Sequence, residues 1–124
     1  MRKNSPTAVV FLVSLALPVG LSAQERIKPT DAVKYIGKSA TVCGLVASTA
    51  YAVANLGTPT YLNLDKPYPD QPFTVIIWGD KRNKFSTPPE TAYSGKRICV
   101  TGTIAGYNGQ PQMAITGPSQ ITFE

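Results

Sequence analysis

From Thr60 to Leu64 the chain alternates, with Tyr61 and Asn63 on one side and Leu62 and Leu64 on the other, which is the period-two pattern of a half-exposed strand. Phe73 to Trp78 repeats the theme. There Val75 and Ile77 alternate with Thr74, Ile76 and Trp78, so whichever side is buried, the outer face keeps apolar or aromatic residues. Between the two runs, Lys66 to Pro72 carries Pro67, Pro69 and Pro72, whose fixed φ and missing N–H make it a stiff connection and not a sheet interior. A longer alternating run from about Ala40 to Val53 predicts a first strand, closed by a turn over Asn55 to Pro59. A fourth strand is predicted at about Arg97 to Gly106, and a fifth at about Pro111 to Thr116 after the Asn-Gly turn that follows Tyr107.

Short helical pieces fit around these strands. Pro29 to Gly37 reads as a helix with Thr30 as its cap, Asp31 in its first turn and Gly37 at its end. Asp80 to Tyr93 is charged and broken by prolines, with a helical turn expected near Pro88 to Ala92. Gln24 to Lys28 reads as a loose leader, and Gly117 to Glu124 closes the chain. The expected architecture is all-β: a small five-stranded Greek-key barrel with a short N-terminal helix and one long connection between its third and fourth strands.

A near-repeat supports this arrangement. Tyr35-Ile-Gly-Lys and Tyr93-Ser-Gly-Lys each lead into a strand with apolar or Gly positions in alternation (Val42, Gly44, Val46; Val100, Gly102, Ile104). Glycine inside a strand marks a bend or a bulge, so both strands are expected to turn a barrel corner. Cys43 and Cys99 occupy the same parity in the two strands, opposite the valines, and can therefore face one another. A disulfide is expected if the chain reaches an oxidising compartment, with two separately packed thiols as the alternative.

The N-terminus is read as an address. Arg2 and Lys3 precede an apolar run from Ala8 to Leu21, broken by Pro18 and Gly20, with the small residues Ser22 and Ala23 before Gln24. This predicts a signal peptide over residues 1–23 and a mature domain over 24–124, periplasmic or secreted, without stable membrane insertion after cleavage. Taking Arg2 and Lys3 from the 12 Lys and Arg leaves 10 against 7 Asp and Glu, a mildly basic domain that permits an anionic partner without demanding one. The excess gathers at Lys81, Arg82 and Lys84.

Catalytic chemistry finds little support. The sequence has no His, which removes Ser-His and Cys-His catalysis and most catalytic zinc sites. Asp65, Asp70, Asp80 and Glu90 lack the spacing of an acid/base pair. A non-enzymatic protein needing neither cofactor nor metal is expected.

The succession Tyr35-Ile-Gly-Lys, Val42-Cys-Gly, Thr60-Tyr-Leu-Asn-Leu-Asp-Lys-Pro-Tyr-Pro, Phe73-Thr-Val-Ile-Ile-Trp-Gly, Tyr93-Ser-Gly-Lys, Val100-Thr-Gly and Tyr107-Asn-Gly-Gln-Pro-Gln resembles the small exported bacterial OB-fold domains of the nucleic-acid-binding type. The resemblance spans nearly all of the mature chain. It implies an oligonucleotide or oligosaccharide surface across the second and third strands and their flanking loops. For single-stranded DNA or RNA, Tyr61, Asn63, Trp78 and Tyr107 would face the bases while Lys66, Lys81, Arg82 and Lys84 follow the phosphates. Trp78 suits a plug for the barrel mouth equally well, and Tyr68 suits packing within its own loop. The competing expectation is a periplasmic interaction module of the same fold, binding a protein, a small molecule or a glycan.

Overall fold

The computed structural model describes residues 25–124; the predicted signal peptide over residues 1–23 lies outside them. Among the described residues no helix is long and apolar enough to cross a membrane. All five expected strands are present: β2 (Ser39–Tyr51), β3 (Thr60–Leu64), β4 (Phe73–Ile77), β5 (Arg97–Thr103) and β7 (Gln110–Ala114). Three short ones join them: β1 (Arg26–Ile27), β6 (Ala105–Tyr107) and β8 (Ile121–Phe123). The described residues are therefore all-β with eight strands, not five. The leader contributes β1, paired in parallel with β2; the chain breaks at Ile104, so the expected fourth strand yields both β5 and β6; and the C-terminal segment pairs as β8.

Strand order is β6-β7-β4-β3-β2-β5-β8, and the sheet is open where a closed barrel was expected. The reason lies at the free edge of β5. That edge is taken by β8, with Ile98 opposite Phe123 and Val100 opposite Ile121. Beyond this pairing, the Gln120 side-chain amide donates to the Thr101 carbonyl at 2.9 Å, and the Met113 side chain lies close against Gly102. Side chains thus satisfy and cover the edge that β7 would otherwise pair with.

The 13-residue β2 is shared between two halves of the sheet. Ser39 to Leu45 pairs with β5, and Val46 to Tyr51 pairs with β3, with the register shifting between Val46 and Ser48. The extra residue at Ala47 is a bulge that bends the strand. Asp65 holds the bend, since its N–H donates to the Leu45 carbonyl at 2.7 Å and its carboxylate accepts from the Leu45 N–H at 3.0 Å. Gly44, just before the bend, leaves the room for this, because a Cβ there would sit 2.7 Å from that carboxylate and 2.8 Å from the Pro29 ring. The corner expected near Gly44 is found three residues later.

The two Tyr-x-Gly-Lys copies build one turn twice. In each, the Lys N–H donates to the Tyr carbonyl (Lys38 to Tyr35 at 2.9 Å, Lys96 to Tyr93 at 3.1 Å), and the Gly takes a left-handed φ of 88° or 72°. The turns feed antiparallel β2 and β5 in register, so Val42 faces Val100 and Cys43 faces Cys99. The two cysteines form a disulfide. Their opposite sides are buried, where Val42, Val46, Leu62, Leu64, Phe73, Val75, Ile77, Ile98, Val100 and Met113 make the core.

The helical pieces differ in detail from expectation. Pro29–Tyr35 is a 3-10 helix with Lys28 at its N-cap and no side-chain cap bond, so Thr30 does not cap it; Pro29 supplies the pre-set φ and the helix buries Ala32. A second 3-10 helix, Gly79–Lys84, follows β4 directly where only a charged connection was anticipated, and α1 (Pro89–Ala92) sits where a helical turn was expected.

Candidate functional site: an uncharged aromatic groove

The outer faces of β2, β3, β4 and β7 form the floor of a groove of about 920 Å³. Register sets its composition. Ser48 lies opposite Asn63, Asn63 opposite Thr74 and Thr74 opposite Gln112, which makes one polar row across four strands. One step along, Ala50, Tyr61, Ile76 and Ala114 make an apolar row. The period-two alternation read in β3 is thus repeated by each neighbour, and the floor has one polar half and one apolar half.

Three loops wall the floor. Trp78 stands just past β4, 41% exposed, with its ring lying over Gly57 of the loop that follows β2: a Cβ on Gly57 would come within 3.0 Å of it. The same loop is tied to Gly79, whose N–H donates to the Gly57 carbonyl at 2.9 Å and whose missing side chain leaves space for the Thr58 hydroxyl. Two glycines therefore frame Trp78, whose ring packs over Gly57 while the side chain stays exposed. Tyr107 and Asn108 of the β6–β7 hairpin form a second wall, and Tyr68 with Pro69, joined by a cis peptide bond, forms the third. Tyr68 and Tyr107 are 73% and 65% exposed.

The floor carries a directed chain of hydrogen bonds. The Gln71 amide donates to the Thr74 hydroxyl at 3.0 Å, Thr74 donates to Asn63 Oδ1 at 3.2 Å, and the Asn63 amide donates to Ser48 Oγ at 3.0 Å. Ser48 Oγ also accepts from the Tyr68 backbone N–H at 3.0 Å. At the other end, Gln71 Oε1 is buried and has no partner, alone in this among the side-chain polar atoms of the described residues.

Of the eight residues expected to contact nucleic acid, Tyr61, Asn63, Trp78 and Tyr107 meet in this groove. Lys66, Lys81, Arg82 and Lys84 do not line it; among the described residues no Asp, Glu, Lys or Arg does. Arg82 is engaged elsewhere. Both of its terminal nitrogens donate to the Glu90 carboxylate at 2.7 Å, Nη1 also donates to the Thr60 hydroxyl at 2.8 Å, and the guanidinium stacks 3.6 Å from the centre of the Tyr51 ring. These hydrogen bonds hold Glu90 below the usual carboxylate range and raise Arg82 further. Lys81 lies 3.8 Å from Asp80, while Lys66 and Lys84 are exposed. Of the two tyrosines that open the Tyr-x-Gly-Lys copies, Tyr93 is buried between Phe85 and Phe123, and Tyr35 donates to Glu25 at 3.1 Å.

Ser48, Gln71, Thr74 and Gln112 were not singled out from the sequence, although they carry the polar half of the floor. The alternation of β4 already placed Thr74 beside Trp78 on one face. Ser48 was hidden by the bulge, which flips the parity of β2 after Val46.

No protein-family model and no curated protein matches the chain. Among solved structures it is similar to one assigned to an aspartyl-tRNA synthetase from Leishmania major Friedlin, with TM-score 0.51 and 9% identity over 87% of this chain and 22% of that one. It is also similar to an OBody bound to hen egg-white lysozyme, with TM-score 0.51 and 13% identity over 84% of this chain and 95% of that one. The chain thus spans about a fifth of the synthetase and nearly all of the OBody. At such identities the likeness concerns the fold alone.

Proposed function

We propose that this chain is an exported, non-enzymatic binding module of the OB type, and that its ligand lies along the groove over β3 and β4 and is uncharged where the groove holds it. One observation carries the reading: aromatic rings at strand and loop positions surround a floor to which, among the described residues, no acidic or basic side chain contributes. Rings supply stacking area at small entropic cost, and the amide and hydroxyl groups between them fix orientation. Single-stranded nucleic acid also needs cations along its backbone. In the Lys81, Arg82 and Lys84 cluster, Arg82 is engaged by Glu90 and Thr60. The Cys43–Cys99 disulfide and the apolar N-terminal run favour an oxidising, extracytoplasmic setting. The OBody bound to lysozyme illustrates that a chain of similar fold serves as a binder.

Trp78 is the only tryptophan, so its fluorescence reports the groove directly. Titration of the mature domain with neutral oligosaccharides and with single-stranded oligonucleotides, at about 50 and 200 mM salt, tests the reading. A spectral change that is indifferent to salt and lost in Trp78→Ala is expected. Binding confined to oligonucleotides and falling steeply with salt would replace this reading with phosphate tracking, because neutralised phosphates release counterions.

A further inference from the structure

We infer that the hydrogen-bond chain Gln71–Thr74–Asn63–Ser48 is a hydroxyl-reading element, and that the groove takes a linear, uncharged oligosaccharide. The inference rests on the groove being the ligand site and adds the class of ligand. Its starting point is the unspent capacity at the two ends of the chain. Gln71 Oε1 is a buried acceptor without a donor. Ser48 Oγ accepts from both Asn63 and the Tyr68 N–H, which fills its two lone pairs and leaves its own proton to give away. The floor therefore asks for a donor at one end and an acceptor at the other.

A hydroxyl group is both, and a sugar ring carries several at fixed spacing. An ionised phosphodiester only accepts and calls for cations, and among the described residues no Lys or Arg lines the groove to meet it. A proline-rich peptide is a common occupant of aromatic grooves, but it lacks most of its N–H donors. Ordinary extended peptides are recognised by adding a strand to a free sheet edge, whereas this groove is a sheet face. The apolar row completes the match. One side of a pyranose ring presents C–H groups, which rest on the electron-rich faces of Tyr61 and Trp78, while its hydroxyl rim points along Ser48, Asn63, Thr74 and Gln71. Tyr68 and Tyr107 on the facing loops extend the stacking surface to neighbouring rings, which favours a chain over a single sugar.

The test screens an array of neutral linear tetrasaccharides, with a single-stranded oligothymidylate and a proline-rich peptide as controls, against the full mature domain and four variants. Thr74→Val, which keeps shape and removes the middle link, and Gln71→Ala, which removes the orphan acceptor, should each weaken the best tetrasaccharide about three- to tenfold. Ser48→Ala should do likewise, and Trp78→Ala should cost tenfold or more. Thermal melts establish that each variant is folded. Tetrasaccharide binding that Thr74→Val and Gln71→Ala leave untouched would overturn the hydroxyl-reading role. Oligothymidylate or peptide binding that depends on Trp78, without any sugar binding, would overturn the ligand class and leave the groove reading standing. If no probe binds the folded domain, both readings fail.

Discussion

The groove and the Arg82 corner are built from similar chemistry and end in opposite states. Each combines aromatic rings with hydrogen-bonding side chains against β3, the groove at Tyr61 and Asn63 and the corner at Thr60. At the corner, the Arg82 guanidinium is shared among Glu90, Thr60 and the face of Tyr51, and α1 is tied to β2 besides, through the Thr49 hydroxyl donating to the Glu90 carbonyl at 3.1 Å. In the groove Tyr68, Trp78 and Tyr107 are exposed, and the polar chain ends in an acceptor with nothing to accept. Residue type alone does not separate a site from a strut; what separates them is whether the capacity of the groups has already been used by the fold. The corner holds Gly79–Lys84 and Pro89–Ala92 in place, and the groove keeps an acceptor that the fold leaves unused.

The largest expected effect tests whether both regions depend on the same framework. The Cys43–Cys99 disulfide closes a separation of 56 residues and lies away from both. Its removal by the double substitution to Ala should lower stability by about 2–4 kcal/mol in chemical denaturation, with groove binding retained by the molecules that remain folded. Loss of binding at full folding would show that the bridge shapes the groove itself.

The next two substitutions should separate the regions. Glu90→Gln removes the charge that pairs Arg82 and should cost about 1–2 kcal/mol of stability, since the pair is bidentate and only partly exposed, while changing no affinity in the groove. Trp78→Ala should do the reverse. It should weaken ligand binding by about 1–3 kcal/mol, as loss of a stacking platform does, with a smaller effect on melting. If Glu90→Gln impaired binding as strongly as Trp78→Ala, the two regions would be one site.

Acid sharpens the comparison further. The hydrogen bonds from Arg82 depress the Glu90 pKa, so the stability they contribute is present above the usual carboxylate range and is lost as pH falls through the lower folded value. Melting temperatures of the natural chain and of Glu90→Gln should therefore differ at neutral pH and converge under acid. Among the described residues no carboxylate lines the groove, so affinity should stay level over the same range until the fold itself gives way. The smallest effect is expected from Lys66→Ala, Lys81→Ala and Lys84→Ala. These should change both stability and groove affinity by less than about 0.5 kcal/mol, and a clear drop in affinity for an oligonucleotide in any of them would return the cations to the site.

Alternation alone put Tyr61 with Asn63 on one face of β3 and Thr74 with Trp78 on one face of the next run, because side-chain direction in a strand has a period of two, and the pairing register then made these the same face. The matching parity of Cys43 and Cys99 was legible for the same reason. So was the repeated Tyr-x-Gly-Lys turn, where a glycine after a short helical segment has a local cause, its left-handed φ. These are properties of a few neighbouring residues.

Other features belong to contacts between distant segments. That β8 covers the edge of β5, with Gln120 bonding to Thr101, could not be read from the C-terminal residues by themselves, and it decides that the sheet stays open. The bulge after Val46 decides that Ser48 joins Asn63 and Thr74. Arg82 looked like a free cation beside Trp78 until the fold brought Glu90, Thr60 and Tyr51 around it. By itself the sequence determined which residues alternate, where the chain turns and which cysteines can meet, because backbone geometry is local. Which side chains still have hydrogen bonds and ring faces to offer was decided by tertiary structure, because a group is spent or free only through the partners that folding brings to it.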